Sequence, residues 1–530
     1  MLTLEQMTPE QKLGRVLCCR RFFTKDDVDF TLELVKNNAC GAIQMTFDEA
    51  RRPGLVKLFR EAADYPVIMV NDMELGYPTS KLPKIPLGTL AAANNPEYAK
   101  LFGAALAKEA TEAGFNGIWG PTIDIVSEKS HGSLARVSCD TPEGVLNVTK
   151  EIYKAFASYG FHATGKHYPG RNNQGLDSHM VAPHSTATKE ELLQTSLVPY
   201  LALMKENLLP AIMVGHCIFD EIDPNTQASL SKKVIDIIRE QGFDGVIYSD
   251  SLAMIAILQT YGEKQAYAKC LMAGVDILLP NYRTPTREVY NMMLEAYREG
   301  LITDGRLDEA VRRVMALEQY CVQKPTNPVP VPENVDEILS MVTRDCITAD
   351  CDEGVPVSID PEKKRLMIVE VPVDFAANGE VSEEVATVAA YNANNTIRAI
   401  KEHFPNSDIE LIPEFPSPRD NDRVLTAASK YDEVVFVSFC LGAPYTGTDC
   451  LTRRIEAVIN ALALPGKLTA LVHFGNPFAM KNLSFHIPRK IFGYSAPASQ
   501  GPAIEVLAGK YPAKGKNPCG RLYAKLCTKK

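Results

Sequence analysis

The stretch GFDGVIYSD, residues 242–250, is a short apolar run entered from a glycine turn and closed by a carboxylate. The same form recurs on both sides of it. Before it come GRVLCC (Gly14–Cys19), GAIQM (Gly41–Met45), VIMVND (Val67–Asp72), GIWGPTID (Gly117–Asp124), FHATGKH (Phe161–His167) and AIMVGH (Ala211–His216). After it comes VDILLP (Val275–Pro280). Apolar runs without polar alternation suit parallel strands covered on both faces. Each run is followed by a stretch with helical spacing, such as SKKVIDIIREQ (231–241) and RLDEAVRRVMALEQYC (306–321). Eight such units in about 320 residues predict a (β/α)8 TIM-like barrel. Its expected extent is residues 1–322.

Beyond the barrel lies a Pro-rich stretch, QKPTNPVPVPENVDE (323–337), read as part of a stiff linker over 323–345. The runs RLMIVEV (365–371), EVVFVSF (433–439), LTALVHF (468–474) and KIFGYSA (490–496) then predict buried parallel strands separated by helices. Together they make a C-terminal three-layer α/β domain over 346–530.

Several barrel runs end in a titratable residue: Asp72, Asp124, Lys166 with His167, His216 and Asp250. Any one of these could cap the next helix or open a loop. Catalytic groups in barrels project from the C-terminal ends of strands, and five at equivalent positions point to a shared acidic and imidazole pocket. Two other readings are weaker. Gly160–Lys166 matches most of a phosphate-binding loop, but His167 stands where a magnesium-binding Ser or Thr belongs, and the segment reads as a strand. His167, Asp177 and His179 include metal-ligand types without a known metal spacing.

A formal charge of −9 disfavours nucleic acid as a partner. The opening MLTLEQMTPEQKLGRVL lacks a basic segment followed by an apolar one, and no apolar run is long enough to span a bilayer. Thirteen scattered cysteines, an odd number without a C-x-x-C pair, suit free thiols in a reducing compartment. A cytoplasmic protein with neither a membrane nor a nucleic-acid partner is therefore expected.

Lys166-His-Tyr-Pro-Gly170, followed by Asp177-Ser178-His179, resembles the KHFPGHG…DSH signature of glycoside hydrolase family 3 in its bacterial β-N-acetylglucosaminidase branch. Met213–His216, Ala228–Ser231 and Gly242–Asp250 resemble the family's next block, which ends at the nucleophile. Asn116–Asp124 is similar to another family strand, and GKNPCGRLYAKL (515–526) to a common family ending. The resemblance implies a retaining exo-glycosidase acting on a small carbohydrate with terminal β-linked N-acetylglucosamine, such as a recycled cell-wall fragment. It implies no metal and no cofactor. It assigns the nucleophile to Asp250, the acid/base to His179 with Asp177 as its partner, and sugar contacts to Asp72, Arg136, Lys166 and His167.

The chemistry fits these types. Retention needs an ionised carboxylate at the anomeric carbon and a proton donor at the leaving oxygen. An aspartate is ionised at neutral pH, and an imidazole titrates near it. Asp177 would hold the imidazole tautomer. The polar loop GRNNQGL (Gly170–Leu176) is expected to swing His179 over bound substrate. There are departures from the family. Asp250 is followed by Ser251 rather than a second Asp. Ser80 stands where a second arginine is expected, with Lys81 as its candidate substitute, and Gly170-Arg171-Asn172 replaces Gly-His-Gly. Three alternatives remain. The first is phosphorolysis, which a neutral histidine acid/base repels less than a carboxylate would. The second is a β-glucosidase or β-xylosidase of the same family, and the third an inactive sugar-binding protein. The C-terminal domain could shape the substrate entrance, support a homodimer or add stability.

Overall fold

The computed structural model describes residues 2–45, 54–76, 80, 82–127, 136–170, 176, 178–323, 327–372, 393–440, 450–494 and 497–528. They form two compact units. The first comprises Met1–Lys81, Ala99–Ile125 and Val145–Val335; the second comprises Leu82–Tyr98, Val126–Gly144 and Asp336–Lys530.

The first unit is the expected barrel. Strands Cys18–Cys19, Ala42–Gln44, Ile68–Asn71, Gly117–Thr122, His162–Tyr168, Ala211–Val214 and Val246–Ser249 lie side by side in chain order, all parallel. The run at 275–280 closes the ring. It bridges Tyr248 to Ile277 on one side and Leu17 to Leu278 on the other. Ser249 N donates to Ile277 O at 3.0 Å, and Cys18 N to Leu278 O at 2.9 Å. The first strand is shorter than expected because Gly14 and Arg15 belong to a helix, Pro9–Arg15. Thr8 caps that helix, Pro9 opens it, and Gln11 completes a capping box. The helices expected at 231–241 and 306–321 are Lys232–Glu240, capped by Ser231, and Asp304–Cys321, capped by Thr303.

Inward-facing residues fill the barrel. Trp119 meets Tyr248 edge-on at 6.0 Å among Ile68, Val70, Met213, Val246 and Leu279. Gly117 is required there, since a Cβ would fall 1.8 Å from the His162 ring. Gly160–Lys166 runs into a strand rather than a loop and helix, so the phosphate-loop reading is set aside.

The second unit holds a six-stranded sheet in the order Thr348–Cys351, Arg489–Phe492, Leu468–Gly475, Val434–Cys440, Leu366–Val371, Asp408–Pro413. Only Thr348–Cys351 is antiparallel. Helix Asn394–His403 packs with Gln500–Leu507, and Pro418–Ala428 with Arg453–Ala463. Right-handed crossovers from this strand order put the two pairs on opposite faces, giving three layers. Ala92, Val126 and Val137 join this unit's core, and Leu522 N donates to Asp140 Oδ2 at 2.7 Å. These residues fall inside the span 1–322 expected for the barrel. The linker expected over 323–345 ends early, because Val335–Asp345 forms a helix with Leu339 and Val342 buried.

Candidate active site

The titratable residues read from the sequence stand at the C-terminal face of the barrel. Asp72 follows Ile68–Asn71, and Asp124 follows Gly117–Thr122. Lys166 and His167 end the strand His162–Tyr168. His216 and Asp250 follow Ala211–Val214 and Val246–Ser249.

Lys166 is 1% exposed, and its ammonium would be costly to bury alone. Its Nζ lies 2.6 Å from Asp72 Oδ1 and 3.2 Å from Glu74 Oε1. Thr122 Oγ1 donates to the same Glu74 oxygen at 2.5 Å. The Asp72 side chain is 48% exposed, so this pair has one buried and one open end. Gly120 makes room beside it: its φ is +142°, and a Cβ would sit 3.2 Å from Glu74 Cγ.

His167 is clamped by Asp124. The carboxylate accepts from His167 N at 3.1 Å through Oδ1, and Oδ2 lies 2.8 Å from Nδ1. Both residues are buried. An ionised carboxylate only accepts, so Nδ1 carries the proton.

Asp250 is half-buried at its strand end, and its N donates to Val214 O at 2.8 Å. Ser251 N donates to Asp250 Oδ1 at 2.7 Å. His216 Nε2 lies 3.0 Å from Ser251 O, and its Nδ1 lies 2.8 Å from Ser229 Oγ. Arg20, directly after the first strand, donates through Nη1 to Ser251 Oγ at 2.8 Å and to Pro280 O at 3.3 Å. Burial lowers the Arg20 pKa, and Cys18, Asp72, Asp250 and Tyr282 pull it back up. The guanidinium therefore feels both Asp72 and Asp250.

His179 lies half-buried in the turn 178–180. Its loop is tied at both ends. Gly170 N donates to His167 O at 2.7 Å, and His184–Ser185 pairs in parallel with Ile218–Phe219. Asp177, Lys81 and residues 171–175 lie outside the described residues. Arg136 is half-buried in the Val126–Gly144 segment of the second unit.

The structure thus joins Asp72 to Lys166 directly, and His167 to Asp124. The sequence reading gave no role to Glu74, Thr122, Ser229 or Arg20. Arg20 was open to the strand-end rule, since it follows the apolar run GRVLCC.

Comparison with known proteins places the chain in a family. The chain is 25% identical over 333 residues to a β-N-acetylglucosaminidase/β-glucosidase of Cellulomonas fimi, covering 60% of this chain and 58% of that protein. It is 30% identical over 242 residues to a β-hexosaminidase of Tolumonas auensis, covering 44% of this chain and 71% of the relative. Among solved structures, a family 3 β-N-acetylglucosaminidase from Paenibacillus sp. strain FPU-7 shares the fold, with a TM-score of 0.79 at 23% identity over 97% of this chain and 99% of that one. A β-glucoside phosphorylase also shares it, with a TM-score of 0.76 at 19% identity over 97% of this chain and 95% of that one. Residues 12–317, more than half of the chain, match the family model described as glycosyl hydrolase family 3 N terminal domain, and the chain belongs to that family.

Proposed function

We propose that this chain is a retaining exo-glycosidase that releases terminal β-linked N-acetylglucosamine through a glycosyl-enzyme formed on Asp250. The observation that carries the reading is the half-buried Asp250 at a strand end. It is hydrogen-bonded by Ser251 N and stands in the field of Arg20, which also feels the Asp72 side of the Asp72–Lys166 pair. The names of the β-hexosaminidase relatives support the choice of sugar.

In the first step an Asp250 oxygen bonds to the anomeric carbon as the glycosidic C–O bond breaks. The leaving oxygen takes a proton from the His179 imidazolium, which becomes the neutral imidazole. In the second step the imidazole takes a proton from water, the water oxygen bonds to the anomeric carbon, and the ester to Asp250 breaks. Asp177 orients the imidazole. Asp72, Lys166 and His167 bind sugar hydroxyls. The substrate is a small oligosaccharide, the chain works in the cytoplasm, and no helix among the described residues is long and apolar enough to cross a membrane.

Nitrophenyl N-acetylglucosaminide assays test this. Asp250→Ala is expected to lose on the order of 10³-fold or more in kcat. His179→Ala is expected to lose much more on poor leaving groups than on good ones. With phosphate present, free sugar is expected as the product. Equal activity of Asp250→Ala and the parent overturns the nucleophile, and sugar 1-phosphate as main product overturns hydrolysis.

A further inference from the structure

Two side chains converge on the residue after the nucleophile. The bond from Ser251 N to Asp250 Oδ1, at 2.7 Å, selects one carboxylate orientation only if the Ser251 peptide is itself fixed. It is held at two further points. Its carbonyl accepts from His216 Nε2 at 3.0 Å, and its hydroxyl accepts from Arg20 Nη1 at 2.8 Å. A carbonyl can only accept, so His216 carries its proton on Nε2, and Nδ1 accepts from the Ser229 hydroxyl at 2.8 Å. Ser229 is anchored in turn, its N donating to Gly215 O at 3.1 Å.

Arg20 reaches across three neighbouring strand ends. It projects from the end of the first strand, bonds Pro280 O beyond the closing run at 3.3 Å, and bonds Ser251 beyond Val246–Ser249. Its guanidinium also lies 5.4 Å from the centre of the Tyr282 ring. A forked, planar cation held in this way has little rotamer freedom left to lose when substrate binds.

We propose that Arg20 and His216 are positioning residues that act through Ser251 to hold Asp250 in its attacking orientation. The proposal rests on Asp250 being the nucleophile. It assigns Ser251 a use that an aspartate at that position would not serve in the same way: a hydroxyl accepts from Arg20 without adding a second negative charge beside Asp250. The expected signature is kinetic. Losing the clamp misorients the attacking oxygen, so the glycosylation rate falls while sugar contacts persist.

The test traps the first step with 5-fluoro-N-acetylglucosaminyl fluoride and follows adduct formation by mass spectrometry. The variants are Arg20→Met, Ser251→Ala, the double variant and Ser251→Thr, with melting curves confirming that each is folded. Arg20→Met is expected to slow adduct formation roughly 10- to 100-fold, with KM for the nitrophenyl substrate changed about threefold or less. Ser251→Ala is expected to cost about three- to tenfold, and Ser251→Thr to restore most of that loss. The double variant is expected to be little slower than Arg20→Met alone, because the two act in one chain. Multiplicative losses in the double variant, or a loss carried wholly in KM, overturn the proposal while an adduct on Asp250 upholds the nucleophile. An adduct on any other residue overturns both.

Discussion

Replacing Asp124 by Asn changes a charge while keeping its shape, and the consequence can be worked from two distances. Asp124 accepts from His167 N at 3.1 Å and lies 2.8 Å from His167 Nδ1, and it is only 2% exposed. The amide has one acceptor oxygen where the carboxylate has two. If that oxygen keeps the backbone bond, the NH2 group points at Nδ1. Nδ1 must then give up its proton and accept, which moves the ring proton to Nε2 and reverses the polarity of the edge to which the proposed function assigns a sugar hydroxyl. A hydrogen bond to a charged partner contributes about 1.5–3 kcal/mol. At about 1.4 kcal/mol per factor of ten, that is roughly a 10- to 150-fold loss. The assay is kcat/KM on nitrophenyl N-acetylglucosaminide, with the melting temperature measured in parallel. A variant within twofold of the parent, equally stable, would show that His167 is not set by Asp124 or does not touch the sugar.

Gly120→Ala places a Cβ 3.2 Å from Glu74 Cγ at a φ of +142°, so it is expected to cost about 1–3 kcal/mol and to disturb the Glu74–Lys166 contact. Denaturant midpoints check this, and an unchanged midpoint with full activity refutes it. Burial pushes His162 and His473 down from 6.5 to about 4. Between about 4 and 6.5 the unfolded chain therefore binds protons that the native chain does not. The contribution to stability is fully present above pH 6.5 and is lost as pH falls towards 4. The order of magnitude is about 1–3 kcal/mol per histidine. Melting temperatures from pH 7.5 to 4.5 should fall less steeply in His473→Asn than in the parent, and equal slopes would remove His473 from the effect.

What the sequence revealed follows from burial. The barrel runs and four strands of the second sheet are largely apolar stretches, and ladder pairing falls within each, although the first strand keeps only Cys18–Cys19 of the run 14–19 and the run 275–280 contributes single bridges. The two missed strands are the sheet's edges. Asp408–Pro413 has five of its six residues exposed or half-buried, and Thr348–Cys351 has three of four half-buried, so neither leaves an apolar run to see. The helix Val335–Asp345 was hidden because its single apolar stripe follows a Pro-rich stretch. Ala92, Val126 and Val137 serve the second core from within the barrel's sequence, and no local pattern tells which core an apolar residue serves. At the site, strand-end residues were legible because an apolar run makes its terminating charge conspicuous. Arg20 lies one residue past the apolar run GRVLCC, and no local pattern shows what it reaches. Its bond to Ser251 joins residues far apart in the chain, which only the closed ring brings together.

That ring is sealed by Cys18 N bonding Leu278 O, and this has a bearing on how the protein is made. A nascent chain emerging from the ribosome can pair its first seven strands one after another, each with the strand just synthesised. It cannot finish the circle until the residues around 278 are out. Until then the growing sheet keeps two raw margins, Cys18–Cys19 and Val246–Ser249, whose unmatched backbone groups could pair with another chain. Helix Pro9–Arg15 packs against Asp304–Cys321, so the earliest-made helix waits for one of the last in its unit. The slow event in maturation is expected to be this final stitch between the two ends of the barrel, not the formation of any single β/α unit.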